Sequence, residues 1–220
     1  MKRVLLICLA LLAIASLSAM AEDNGSRTIT INGGKNSVYM GAAIEPAQGA
    51  NPEIVCVGFH DNICGHGYVA KIGWTVSDGS PNNFEWSPAN QFESGKSGTT
   101  SKITVGLGFI SGANTTLIEL IEDCHNKPCT NPDGLPKSKQ LCHGRVKNMP
   151  TFGTTGTTVV SFKCVAKLTK GKNYWILMQS AANSWLAWNT SNVAMGLGYF
   201  GENDKWVDAG TQPMGALTVQ

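Results

Sequence analysis

Helix signals are nearly missing from this chain. No window keeps apolar residues at i, i+3, i+4 and i+7 between a cap at each end, which excludes a helical bundle and an α/β layer fold. After the first 21 residues no apolar run is long enough to cross a bilayer as a helix. Chemistry is scarce as well. There is no Gly-x-Ser-x-Gly nucleophile elbow, no His-Glu-x-x-His zinc helix, no phosphate-binding P-loop and no Cys-x-x-Cys-His haem attachment. Gly196 to Gly201 spells Gly-x-Gly-x-x-Gly, but no helix follows to aim an N-terminus at a pyrophosphate, so it reads as a glycine-rich turn. No cofactor is expected.

The export signal is plain. Lys2 and Arg3 precede an apolar core from Val4 to Leu17, and Ser18-Ala19-Met20-Ala21 supplies a small-x-small cleavage site. Residues 1–21 are therefore expected to leave, taking Cys8 and no membrane span behind them. Loss of Lys2 and Arg3 lowers the 17 basic residues to 15, equal to the 15 acidic ones. A chain with no net charge carries no global basic footprint for nucleic acid. The partners that fit are an extracellular glycan or a cell-surface protein.

What is present is a β pattern. Short runs rich in Thr, Val, Ile and aromatics fall at 27–31, 37–44, 53–59, 68–76, 101–110, 115–122, 140–147, 157–165, 174–179, 185–189, 194–200 and 216–219. Turn clusters such as Asn32-Gly33-Gly34, Ser111-Gly112-Ala113-Asn114 and Lys170-Gly171-Lys172 separate them. Many short strands at near-regular spacing predict an all-β, two-sheet antiparallel sandwich, jelly-roll-like, stiffened by disulfides. Residues 22–53 are expected to add N-terminal strands to the same domain, whose main part is 54–220.

Six cysteines remain after cleavage: Cys56, Cys64, Cys124, Cys129, Cys142 and Cys164. An even number in an exported chain predicts disulfides, and six allow about 15 connectivities. Nearest-neighbour pairing is the expectation, because each pair brackets a turn. A competing arrangement exists at Cys56, His60, Cys64 and His66, four zinc-competent side chains within eleven residues. The oxidising compartment favours the disulfide.

Strand alternation places Leu186 and Trp188 on one face and Trp185 on the other. Trp185 is thus the candidate exposed aromatic, with Asn183 and Asn189 as hydrogen-bonding neighbours for a sugar ring. The remaining chemistry lies in two acid groups, Glu119 with Glu122 and Asp123, and Glu202 with Asp204 and Asp208. A glycosidase needs two carboxylates about 5–9.5 Å apart, and both groups also suit a solvated surface. Asp123 and Asp133 are further oxygen donors for Ca²⁺.

From Gly73-Trp74-Thr75-Val76-Ser77 onward the chain resembles a family. Ala89-Asn90-Gln91-Phe92, Lys102 to Phe109 with Ser111-Gly112-Ala113-Asn114, Asp133-Gly134-Leu135-Pro136 and Met149-Pro150-Thr151-Phe152-Gly153 follow in order. Leu168 to Trp175 and Ala187-Trp188-Asn189 complete the pattern. Together they resemble the bacterial secreted β-sandwich domains labelled choice-of-anchor and PEP-CTERM-associated. The resemblance spans residues 54–220 and implies an extracellular sandwich with no established catalytic centre. No sorting tail follows Val219-Gln220, and the loop bearing Cys124 and Cys129 reads as an insertion. The expectation is a secreted, non-enzymatic interaction module, with a carbohydrate-binding module as the alternative and a secreted hydrolase behind both.

Overall fold

The computed structural model describes residues 58–64, 67–79, 85–130, 139–153, 159–202 and 205–220, and the backbone of 26–30 and 36–40. These residues form fifteen strands and no α-helix. In chain order they are β1 (Ser26–Thr30), β2 (Asn36–Met40), β3 (His60–Asp61), β4 (Tyr68–Asp78), β5 (Glu85–Glu93), β6 (Gly98–Thr99), β7 (Lys102–Gly112) and β8 (Thr115–Glu122). Then come β9 (Gln140–Lys147), β10 (Val159–Lys163), β11 (Lys167–Leu168), β12 (Asn173–Ser180), β13 (Ser184–Glu202), β14 (Lys205–Gly215) and β15 (Leu217–Val219). Every pairing between them is antiparallel. The predicted all-β class is what the chain adopts; the strand order does not by itself define a jelly roll.

The main array runs β3-β15-β7-β13-β4-β5-β12-β8-β9, with β10 beside β7 and β14 beside β13. β13 holds it together. Its first half pairs with β4 and β7, and its second half with β5 and β14. Register shifts after Thr190 and after Gly198 bend it from one set of neighbours to the other. Sequence alone splits this strand into 185–189 and 194–200, because the polar Thr190-Ser191-Asn192 between them looks like a turn. Thr190 and Ser191 are instead buried, and Ser191 Oγ donates to the Asn62 carbonyl.

The two-residue strands β3, β6 and β11 escape the sequence pattern, and so do two long ones. β5 carries Pro88, and β14 carries Gly210, Pro213 and Gly215, residues that normally interrupt strands. β14 tolerates them as an edge: among the described residues it pairs with β13 alone, and its left-handed Gly210 sits at a bulge. The expected strand 53–59 falls mostly outside the described residues.

The core lies between the layers and is dominated by aromatics. Trp74, Trp188, Trp86, Phe200, Phe92 and Tyr174 are all buried. Phe200 packs against Trp74 at 5.0 Å and edge-on to Trp86 at 4.7 Å between centroids. β12 is buried on both faces. Tyr174, Ile176 and Met178 enter the main core, whereas Trp175 and Leu177 join Ala89, Ile121 and Tyr199 in a second cluster. This is why Tyr174 to Met178 reads as an unbroken apolar run rather than an alternating one.

Close packing imposes glycine at particular points. A Cβ on Gly215 would lie 2.0 Å from the Trp188 ring, and one on Gly144 would lie 2.0 Å from Phe162. The Trp188 ring has nowhere to go, since it is fully buried, whereas Phe162 is partly buried where it packs against the core.

Cys124 is bonded to Cys129 and Cys142 to Cys164, with Cα atoms 5.0 and 5.6 Å apart. Cys64 is also disulfide-bonded, and Cys56 lies outside the described residues. Among those residues β9 pairs only with β8 and β10 only with β7. The Cys142–Cys164 bond therefore clips together two sheet edges.

Two stability predictions follow from this packing. Gly215→Ala should lower unfolding free energy by about 2 kcal/mol or more through overpacking against Trp188, measured by urea denaturation; a change within experimental error would show that the ring can shift. Replacing Cys142 and Cys164 together by Ser should cost about 3 kcal/mol, the loop-entropy value for a bridge of this span, read as a lower thermal midpoint.

Candidate functional site

Trp185 opens β13, opposite Ser77 of β4 and Ser111 of β7. It is half-buried, and its Nε1–H is buried without an acceptor. Asn183 stands just before it in a left-handed turn (φ 57°), exposed, its backbone N–H donating to the Asp78 carboxylate. Asn189 is elsewhere. It is 0 % exposed, and its Nδ2 donates to the Val69 and Ala70 carbonyls at 3.1 and 2.9 Å. The structure thus brings Asn183 and Trp185 together and takes Asn189 into the interior.

Asn189 is closed off by Ala216, whose N–H donates to its carbonyl, and by Tyr68, which crowds the same point over Gly106. A further segment covers the sheet beside it. Residues 149–153 run over β7 and β4: Phe109 N donates to Pro150 O, Phe152 N donates to Phe109 O, and Gly153 N donates to Ala70 O. Phe152 also packs on Gly108. Both faces of β13 are covered there, so alternation could not mark Asn189 as a surface residue.

The Cys–His group is partly in view. His60 lies on β3 with its ring 5.2 Å from Phe92 and its Nε2 buried without a partner. Cys64 has its sulfur in a disulfide, so it offers no thiolate in this state. Cys56 and His66 lie outside the described residues. Among the described residues no three His, Cys, Asp or Glu side chains are grouped to hold a metal.

The acids divide by role. Glu122 is ion-paired with Lys139 at 2.9 Å. Asp123 is a structural carboxylate: its Oδ1 accepts from Trp175 Nε1 at 2.7 Å and Gln91 Nε2 at 2.8 Å, and its Oδ2 accepts from Asn126 N at 3.1 Å. Glu119 is buried on β8, on the same strand face as Ile121. Asp133 and Asp204 lie outside the described residues.

Asp123 also starts the turn expected between Cys124 and Cys129, and the aromatic neighbours of that turn are not legible in the sequence. Asp123 and Pro128 form an isolated bridge around a two-residue turn, His125-Asn126, both in the left-handed region (φ 58° and 64°). Two left-handed residues match the twist of a tight hairpin, which Asn and His tolerate better than most. The Cys124–Cys129 bond clamps this hairpin beside an aromatic chain. Tyr199 meets Trp175 edge-on at 5.5 Å and Trp206 edge-on at 6.4 Å. Trp206 Nε1 donates to the Thr130 carbonyl. Burial raises the Tyr199 hydroxyl above its usual pKa, and the charge and hydrogen bond of Asp208, then Asp123, add to the effect. Trp206 is half-buried and Asp208 exposed.

Comparison with protein-family models, curated proteins and solved structures gives no match.

His60 generates a pH prediction. Burial lowers its pKa from 6.5 to about 4, against a smaller opposing pull from Asp61. The folded state thus holds it neutral while the unfolded chain protonates it near pH 6.5. Stability should be full above about pH 6.5 and fall as pH drops toward 4, by roughly 3 kcal/mol at most for this group. His60→Gln should flatten that part of the stability–pH curve; an unchanged slope would assign the acid sensitivity to another group.

Proposed function

We propose that this chain is a secreted, non-enzymatic β-sandwich that works as an extracellular interaction module. The observation that carries the proposal is the covalent clip between β9 and β10. A disulfide across two sheet edges suits an oxidising compartment, and the N-terminal 21 residues supply a route to one. The tied state of Asp123 supports a role without hydrolysis, since its carboxylate is engaged by Trp175, Gln91 and the Asn126 turn.

Carbohydrate binding is the second reading, and it needs a different surface from the Trp185 group. With Asn189 interior and the indole N–H facing inward, that group has one exposed amide beside a half-buried ring.

Expression of the full chain in a bacterial host with fractionation, intact mass and thiol counting tests the proposal. The expected product lies outside the cytoplasm, has lost residues 1–21 and has no reactive thiol. An intact N-terminus on cytoplasmic protein with free cysteines would sink it.

A further inference from the structure

A near balance of 17 basic and 15 acidic residues conceals a local concentration of one charge. Lys96, Lys102, Lys163, Lys167, Lys170 and Lys172 come from two separate stretches of sequence, and the fold places them at one end of the molecule. Lys102 and Lys163 are direct cross-strand partners on β7 and β10. Lys167 pairs with Thr99 through the β6–β11 ladder. The Lys170 N–H donates to Ser97 Oγ at 2.9 Å, and the Lys172 carbonyl accepts from Ser94 N at 3.0 Å. Lys96 lies over the Phe59 ring at 4.7 Å.

Lys163, Lys167, Lys170 and Lys172 are exposed, while Lys96 and Lys102 are half-buried. None of the six is ion-paired among the described residues. Lysine on a sheet edge guards against unwanted strand pairing, but one charge suffices for that. Here two like charges stand directly opposite one another, an arrangement that destabilises a sheet. The neighbouring acid is Glu93, at the end of β5 opposite Asn173.

At this end lies an open groove of about 490 Å³, lined by Lys96, Ser97, Gly98, Thr99, Ser101 and Gln220 over Phe59. Ser97 Oγ accepts from Lys170 N, which leaves its hydroxyl hydrogen to donate. The groove therefore combines fixed positive charge with small hydroxyl groups.

We propose that this lysine-rich end binds an acidic polysaccharide, a polymer bearing carboxylate or sulfate groups; the proposal rests on the extracellular role above. Charge complementarity requires an anionic partner. Nucleic acid is disfavoured because the nearby aromatics are covered, Phe59 beneath Lys96 and Tyr174 in the core, and single-strand binding relies on exposed rings for base stacking. A membrane is disfavoured because Val165 is the one large exposed apolar side chain among these lysines, too little to insert. Ammonium groups on flexible stems suit anionic groups spaced along a chain, whereas planar bidentate recognition would call for arginine.

The test uses the full chain, exported and folded, against polygalacturonate, heparin and uncharged dextran at low and high salt. Binding to at least one acidic polymer and not to dextran is expected, weakening as salt rises. The triple substitution Lys163→Gln, Lys167→Gln, Lys170→Gln should reduce affinity about tenfold or more, while Lys127→Gln, Lys147→Gln, Lys205→Gln should change it less than about twofold. Equal thermal midpoints for both triple variants confirm that each is folded. Equal losses in the two variants, tighter binding to single-stranded DNA or anionic vesicles, or no acidic-polymer binding by folded protein would each overturn the site. In the last case, recovery of the protein outside the cytoplasm leaves the extracellular assignment standing.

Discussion

The structure depends on one crossing point, the three residues Gly215, Ala216 and Leu217, where the chain leaves β14 and enters β15. Their backbone groups are buried at a place where the regular ladder is interrupted, and each still has a partner. Gly215 N donates to Asn90 Oδ1, and its carbonyl accepts from Asn62 Nδ2. Ala216 N donates to Asn189 O, and its carbonyl accepts from Gly106 N and Trp188 Nε1. Leu217 N donates to Asn62 Oδ1, and its carbonyl accepts from Asn62 N. A buried peptide group without a partner costs more than an ordinary hydrogen bond contributes, so Asn62 and Asn90 are as necessary to the fold as the tryptophans.

That crossing explains where sequence reasoning succeeded and where it stopped. Strands whose side chains face the core on one side or both, such as β4, β7, β8 and β12, announce themselves through Val, Ile, Leu and aromatics. Neighbouring cysteines around short turns foretold the Cys124–Cys129 and Cys142–Cys164 bonds. β14 stayed hidden because an edge tolerates the glycines and proline that signal a turn elsewhere. Asn189 misled for a related reason: an asparagine beside a tryptophan looks like surface chemistry unless something remote in sequence covers it, and here Tyr68 and Ala216 do. No local pattern carries that information.

Charge shows the same limit in another form. The balance of basic and acidic residues is a property of the whole chain, whereas a partner meets one end of it. Lys96 and Lys102 are separated in sequence from Lys163 to Lys172, and only the pairing of β7 with β10 and of β6 with β11 puts them side by side. Conversely, Glu122 and Asp123 looked like candidate acids because they are adjacent, yet Asp123 is tied into the fold and Glu122 sits in a surface ion pair with Lys139.

The position of β15 sets the order in which this molecule is able to form. Residues 217–219 are fully buried between β3 and β7, so a strand made after all the other described strands fits between two made earlier. Until it arrives, β7 has β10 along one side of Ile103 to Val105 and no strand along the other, and the crossing at Gly215 cannot lock. Closure therefore waits for the whole of this stretch to be synthesised.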